Sequence, residues 1–136
     1  MTTIREMLIP ALEAAFPERG LRLGGERGAI ATFPAQHPSV GNITIWDDGD
    51  EATVEIGRIT HGQFNPYAPE LSDQAVAAAV TEMVIAFLEN VFCDRVLFDV
   101  DKSRRSGGWQ VFDHPVGSAP NDDTKDFFVW SRPLKP

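Results

Sequence analysis

Basic side chains are concentrated in residues 102–108, which read Lys-Ser-Arg-Arg-Ser-Gly-Gly. Lys102, Arg104 and Arg105 have the chemistry needed to bind a phosphate or a carboxylate, and the amides of the two glycines can assist. The chain contains neither the Walker spacing nor the dinucleotide-binding glycine pattern, so no nucleotide motif supports this loop. A solvated hairpin loop explains the same residues, and the sequence leaves both interpretations open.

His61 is the histidine with the most site-like surroundings, in a segment that follows an expected strand and is closed by Pro66 and Pro69. Loops held between rigid elements often carry functional side chains. We expect a pocket near His61, Phe64 and Tyr67, in which the basic loop would supply further contacts to an anionic small molecule. This arrangement requires the two loops to meet at one end of the sheet. The alternative is a structural or exposed histidine, because a catalytic one needs a positioned carboxylate or nucleophile.

Asp99 and Asp101 have the Asp-x-Asp spacing that places two carboxylates on one face of a strand, where they could bridge a hard cation. Lys102 and Arg104 follow closely and can neutralise the same carboxylates. The histidines and the single cysteine, Cys93, form no His-x-x-x-His or Cys-x-x-Cys pattern. We therefore expect no metal site and no cofactor, and we expect Cys93 to be a buried structural thiol. No nucleophile motif is present, so no catalytic residue is assigned.

Two helices are expected to position these residues. A helix over residues 3–16 opens with Thr3 and Glu6, which have the spacing of a capping box. Pro10 conflicts with this helix and predicts either a kink or a later start. A second, longer helix over residues 72–92 has a broad apolar stripe and is the expected centre of the fold. The stripe comprises Val76, Val80, Met83, Phe87 and Val91, and it is widened by Val84 and Leu88.

The clearest turn signal is Asp48-Gly49, which suits a two-residue type I′ hairpin because both central residues need a positive φ. In that register Ile45 faces Ala52 on an apolar side of the hairpin. The opposite side carries Trp46 among threonines and glutamates. One face of the sheet therefore points to a core, and the other is polar apart from Trp46.

The order of elements predicts a single α+β domain over residues 1–136. Hairpin-type connections favour a two-layer sandwich, with an antiparallel sheet of five to seven strands packed on the N-terminal and central helices. The remaining strands are expected near residues 20–46, 95–101, 109–113 and 126–131.

Composition indicates one soluble, acidic domain. A chain of 136 residues with 43% apolar residues can form one core without disulfides. Its formal charge of −8 argues against nucleic-acid binding and is compatible with a basic protein partner. Residues 7–12 are too short and too closely flanked by charge for a signal peptide, and Thr81 and Glu82 interrupt the longest apolar segment. We expect a cytoplasmic protein with no membrane contact.

Several short motifs follow one another between residues 53 and 109. In this order they resemble small bacterial α+β families of unknown function, some of which look like immunity proteins of toxin systems. Gln63 separates Gly62 from Phe64, where these families have a His-x-Phe pairing. The resemblance implies a role in protein interaction and assigns no catalytic residue. The motifs are Thr53-Val54-Glu55-Ile56-Gly57, Thr60-His61-Gly62-Gln63-Phe64, Phe87-Leu88-Glu89-Asn90-Val91-Phe92 and Gly107-Gly108-Trp109.

The leading functional hypothesis is a non-enzymatic protein-binding module, immunity-like or chaperone-like, with an acidic surface suited to a basic partner. The alternative is a small enzyme or a binding protein for an anionic small molecule, which would use the His61 loop and the loop from Lys102 to Arg105. A homodimer is also expected, because Trp46 and the apolar strand over residues 126–131 need cover. Either the N-terminal helix or a second copy could supply that cover.

Overall fold

The computed structural model describes residues 2–135, which form two helices and nine strands in an α+β arrangement. A short 3₁₀ turn, Glu26–Gly28, lies between the first two strands. In chain order the elements are α1 (Ile4–Ala15), β1 (Arg22–Leu23), β2 (Ala31–Phe33), β3 (Ile43–Asp47), β4 (Ala52–Ile56), β5 (Thr60–Phe64), α2 (Asp73–Phe92), β6 (Val96–Asp101), β7 (Gly107–Val111), β8 (Lys125–Val129) and β9 (Arg132–Leu134).

The strands form two antiparallel sheets, one ordered β1-β2-β3-β4-β5 and the other β7-β6-β8-β9. The predicted class, with an N-terminal helix and a long central one, is confirmed. The single predicted sheet is divided, because β5 and β7 approach each other without regular strand pairing. The last strand, β9, follows a tight turn after β8 and was absent from the sequence prediction.

Helix α1 begins as its sequence predicts. The amide of Glu6 donates to Oγ1 of Thr3 at 3.1 Å, and the amide of Thr3 donates to Oε1 of Glu6 at 3.3 Å, which confirms the capping box. Pro10 does not delay the start of the helix, which runs unbroken from Ile4 to Ala15. Pro10 is exposed, so the carbonyl that loses its amide partner there can be hydrated.

Helix α2 is long and apolar enough to cross a membrane by length and composition, a test that core helices of soluble proteins also pass. Its buried stripe packs into the main core. Met83, which the sequence places in that stripe, is 37% exposed, so that assignment is wrong. Val84 and Leu88, which widen the predicted stripe, are both buried, because α2 contacts both α1 and the sheet. The buried residues are Ala77, Val80, Val84, Phe87, Leu88, Val91 and Phe92.

The β3–β4 hairpin has a four-residue loop over residues 48–51, and its register differs by two from the predicted one. Ile45 pairs with Val54, and Asp47 pairs with Ala52. The carboxylate of Asp47 accepts from the amide of Gly49 at 2.8 Å, which builds a longer turn than two residues allow. A shift of two keeps each side chain on its predicted face, because strand side chains alternate with a period of two.

Helix α1 does not cover Trp46, which lies on the sheet face opposite the helices. The guanidinium group of Arg27 stands over its ring, 5.0 Å from the centroid. Helix α1 packs on the other face, where Ile43 and Ile45 are buried. The predicted cover by the N-terminal helix is therefore wrong, because the two lie on opposite faces.

Strand β8 is covered on both faces by its own chain. Phe128 belongs to the main core, whereas Phe127 and Val129 pack with Val116 in a smaller cluster. Trp130 is 2% exposed and meets the ring of Phe92 edge-on at 5.7 Å. The loop that contains Val116 thus supplies the outer cover that the sequence left open.

The two sheets meet at a junction between β5 and β7. The ring of Phe87 lies 5.1 Å from that of Phe64 and 4.7 Å from that of Trp109, so one α2 side chain packs on both edge strands. Beside this aromatic cluster the backbone of Gly107 approaches the carbonyl of Ile59 so closely that a Cβ atom would overlap its oxygen. The junction therefore requires glycine at position 107.

We expect Gly107→Ala to destabilise the fold by about 1–3 kcal/mol, because the added methyl group must push β7 away from the turn before β5. Gly117→Ala is the matched control, since nothing lies within 4 Å of the added atom and its φ is not restricted. We expect that control to change stability by less than about 0.5 kcal/mol. Urea denaturation of both variants measures the difference, and equal midpoints would contradict the close approach.

Candidate functional site

An open cleft of about 570 Å³ lies where the β4–β5 turn meets the β6–β7 loop. His61 on β5 and Arg58 in the turn line one side, and Arg104 and Arg105 in the loop line the other. Thr60 and Ser106 also line it. The two segments, about forty residues apart in sequence, thus form a single cleft, as the anionic-ligand hypothesis requires.

The β4–β5 turn is short and presents Arg58 to solvent. Gly57 adopts a φ of +49°, and the amide of Ile59 donates to the carbonyl of Ile56 at 3.0 Å, which closes the turn. His61 lies in the following strand, rather than in a loop as the sequence analysis placed it, because β5 pairs with β4 immediately after the turn. His61 is exposed and stands opposite Glu55 in the strand register.

The β6–β7 loop is held in shape by one carboxylate at its base. Oδ1 of Asp101 accepts from the amide of Arg105 at 2.9 Å and from the amide of Ser106 at 3.3 Å. The amide of Arg104 donates to the carbonyl of Asp101 at 2.9 Å, and Arg104 adopts a φ of +63°. The hydrogen bond from the amide of Arg105 is the main reason that the pKa of Asp101 lies below its ordinary value.

The charges around the cleft are only partly compensated. Arg104 pairs with Asp126 at 3.0 Å, and Arg27 pairs with Glu55 at 3.3 Å. Within residues 2–135, neither Arg58 nor Arg105 makes an ion pair. Both are exposed, so these two cationic groups are available to a ligand, although the net charge of the whole protein is −8.

Of the residues proposed from sequence, His61, Arg104 and Arg105 line the cleft. Phe64 is 7% exposed and belongs to the aromatic cluster at the sheet junction. Tyr67 is 75% exposed and lines a separate depression at the start of α2.

Trp46 and Lys102 also lie outside the cleft lining. Trp46 approaches it only through Arg27, which contacts both the Trp46 ring and Glu55. Lys102 is exposed, and its amide donates to the carbonyl of Thr124 at 3.0 Å, so its backbone belongs to the side of the loop that faces β8.

Arg58 is the contributor that sequence reasoning missed. Its position directly after Gly57, between two stretches of alternating polarity, was a signal for a turn that exposes the side chain. In the sequence prediction, the segment that contains His61 was a loop after an expected strand, so the turn at Gly57 was not recognised. Arg58 was therefore not connected to the basic segment at Arg104 and Arg105.

The carboxylates considered as metal ligands have other partners. Asp99 lies 3.5 Å from Nζ of Lys125, and Asp101 binds the loop amides. Across residues 2–135 no group of three or more His, Cys, Asp or Glu side chains is arranged to hold a metal ion. Cys93 is exposed at the C-terminal end of α2, which corrects the prediction of a buried thiol.

Comparisons with known proteins supply no relative for this fold or cleft. No protein-family model matches the chain, and no curated protein or solved structure is significantly similar to it. The inference of function therefore depends on the cleft geometry, and the immunity-like resemblance stays a prediction.

We expect the β6–β7 loop to loosen in acid. Because the pKa of Asp101 is lowered from 3.8 in the folded protein, its carboxylate stabilises the loop above that pH, and the contribution is lost as the pH falls through the lower folded value. The amide proton shifts of Arg105 and Ser106, followed by NMR from pH 5 to pH 2, should move together with one midpoint below that of a free Asp. Asp101→Ala should abolish this shared transition, and a midpoint at the ordinary value would contradict the hydrogen bonds.

Proposed function

We propose that this protein is a binding protein for a small anionic molecule, held in the cleft between the β4–β5 turn and the β6–β7 loop. The observation that carries the proposal is the convergence of Arg58 and Arg105 on one cleft, where neither has an ion-pair partner among the described residues. Basic side chains repel one another, so an arrangement that brings several together favours an anion between them.

The donor set suits a phosphate group. Two uncompensated guanidinium groups match the charge of a phosphate monoester, and each can bind two of its oxygens. Thr60, His61 and Ser106 add hydrogen-bonding groups at the same cleft. A carboxylate offers only two oxygens and one charge, so it would use fewer of these donors.

We expect inorganic phosphate to raise the melting temperature at low ionic strength, because a ligand that binds only the folded state stabilises it. Arg58→Ala and Arg105→Ala should each weaken binding about tenfold or more, as expected for the loss of a charged hydrogen bond. Arg105→Lys should recover only part, since an ammonium group lacks the paired geometry. Isothermal titration calorimetry measures these affinities.

Arg132→Ala is the matched control, because Arg132 is an exposed arginine on β9, outside the cleft lining. It should bind phosphate like the unmodified protein. Equal weakening in all the alanine variants would indicate non-specific attraction, and no phosphate binding at low ionic strength would refute the proposal.

A protein-binding module is a second candidate, favoured by exposed apolar side chains at the sheet junction. Met83 and Trp109 are each 37% exposed, and Val111 is 42% exposed. Met83 lies one helical turn before Phe87, which contacts Trp109, and Val111 shares the β7 face of Trp109. Such a patch on a chain with a net charge of −8 suits a basic protein partner, and the apolar contact could also join two copies of the chain.

We expect Val111→Asp to abolish capture of a partner, or to dissociate a dimer detected by light scattering, because a buried charge would then oppose the contact. Gln110→Asp is the control, since this exposed neighbour on β7 faces the opposite side of the sheet. An unchanged result with Val111→Asp, or an equal loss in both variants, would rule out a docking site on this patch.

A further inference from the structure

A second cleft, of about 650 Å³, adjoins the first on the outer face of the five-stranded sheet. Both clefts are bordered by Glu55, Gly57 and Arg58. A ligand held by Arg58 in the first cleft therefore already touches the border of the second. A ligand that crosses this shared rim would have the volume of both clefts available, which suits a molecule bigger than a free anion.

Part of the border that the two clefts share is backbone, at Gly57, and Glu55 and Arg58 complete it. A Cβ atom on Gly41 would lie 2.7 Å from Cα of Gly57, and one on Gly57 would overlap the carbonyl of Val40. Both glycines also adopt positive φ angles, of +90° and +49°. The two backbone segments can therefore pack in direct contact, because neither glycine carries a side chain that would hold them apart.

The two clefts differ in charge. The first has Arg58 and Arg105 without ion pairs among the described residues, whereas the additional charged residues of the second, Arg22 and Glu26, have opposite signs. A ligand that fills both clefts should therefore carry its negative charge at one end only.

The walls of the second cleft are rich in uncharged hydrogen-bonding groups. Ser39 and Thr44 contribute hydroxyl groups. Oδ1 of Asn42 accepts from the amide of Ala35 at 2.8 Å, which fixes the side chain, and its NH₂ group has no protein acceptor within residues 2–135. These groups match a ligand body that carries hydroxyl groups rather than an apolar or charged one.

From this geometry we infer that the ligand is a phosphorylated sugar or polyol, with its phosphate between Arg58 and Arg105 and its hydroxyl groups in the cleft lined by Ser39, Asn42 and Thr44. The inference rests on the proposed phosphate site and adds the chemical class of the whole ligand. It predicts that the hydroxylated body increases affinity beyond that of phosphate alone.

The test compares inorganic phosphate, glycerol 3-phosphate, ribose 5-phosphate, glucose 6-phosphate and unphosphorylated glucose by isothermal titration calorimetry. At least one sugar phosphate should bind about tenfold more tightly than inorganic phosphate, which corresponds to one or two additional hydrogen bonds. Glucose alone should show no binding at the same concentrations. The amide signals of Asn42 and Thr44 should shift with the sugar phosphate and not with phosphate.

The double variant Ser39→Ala/Thr44→Val should lose this gain while its affinity for inorganic phosphate stays unchanged. Gln63→Ala is the control, because Gln63 is exposed on β5 and lines neither cleft. Phosphate binding with no gain from any of the sugars, or a gain that survives in the double variant, would overturn this inference and leave the phosphate site intact. Tighter binding of a phosphoserine peptide would also overturn it, and failure of phosphate itself would remove both proposals.

Discussion

The contact between Gly107 and the carbonyl of Ile59 determines how the two sheets meet, and the cleft exists because they meet there. Ile59 belongs to the turn that presents Arg58, and Gly107 begins β7 directly after the loop that carries Arg105. Bringing these two backbones together therefore brings the two guanidinium groups to one place. The Phe64–Phe87–Trp109 cluster holds the junction from the helix side by packing α2 against both edge strands. Burial of these apolar side chains on the helix side of the junction stabilises it. This burial offsets the repulsion between the basic side chains that line the cleft on the opposite side.

The acidic β3–β4 hairpin has a structural explanation that needs no metal ion. Oδ2 of Asp47 accepts from the amide of Arg5 at 3.0 Å, so this carboxylate satisfies a free donor in the first turn of α1. Asp50 lines a depression together with Asp73, which is the first residue of α2. The hairpin tip therefore lies beside the N-terminal ends of both helices, where negative charge is favourable. This arrangement places Asp47, Asp50 and Asp73 at the end of β4 opposite to the cleft.

Local signals in the sequence were sufficient for both helices and for most strands, although not for β5 and β9, and they were insufficient for the site. The capping box of Thr3 and Glu6 involves neighbours in sequence, so it could be predicted directly. The two faces of the β3–β4 hairpin could also be predicted, although its register could not, because a shift by two residues leaves both faces unchanged and only the Asp47 side chain decides the loop length. Met83 and Val84 are adjacent on α2, and tertiary packing on α1 and the sheet decides which one is buried. His61 and Arg105 line the same cleft because of the sheet junction, which local sequence signals do not reveal. From the sequence alone, it could be said only that a shared pocket requires the two segments to meet.

We expect the proposed anion cleft, on a protein with a net charge of −8, to favour small anions over long ones. At physiological ionic strength, interactions between exposed charges are largely screened beyond about 8 Å, so a compact phosphate in the cleft interacts mainly with the nearby arginines. A nucleic acid extends well past that distance and would place further phosphates against the acidic remainder of the surface. Each additional phosphate outside the cleft would then oppose binding instead of strengthening it. In the proposed site the overall charge and the local charge would therefore act together, with the arginines attracting one anionic group and the acidic surface disfavouring polyanions.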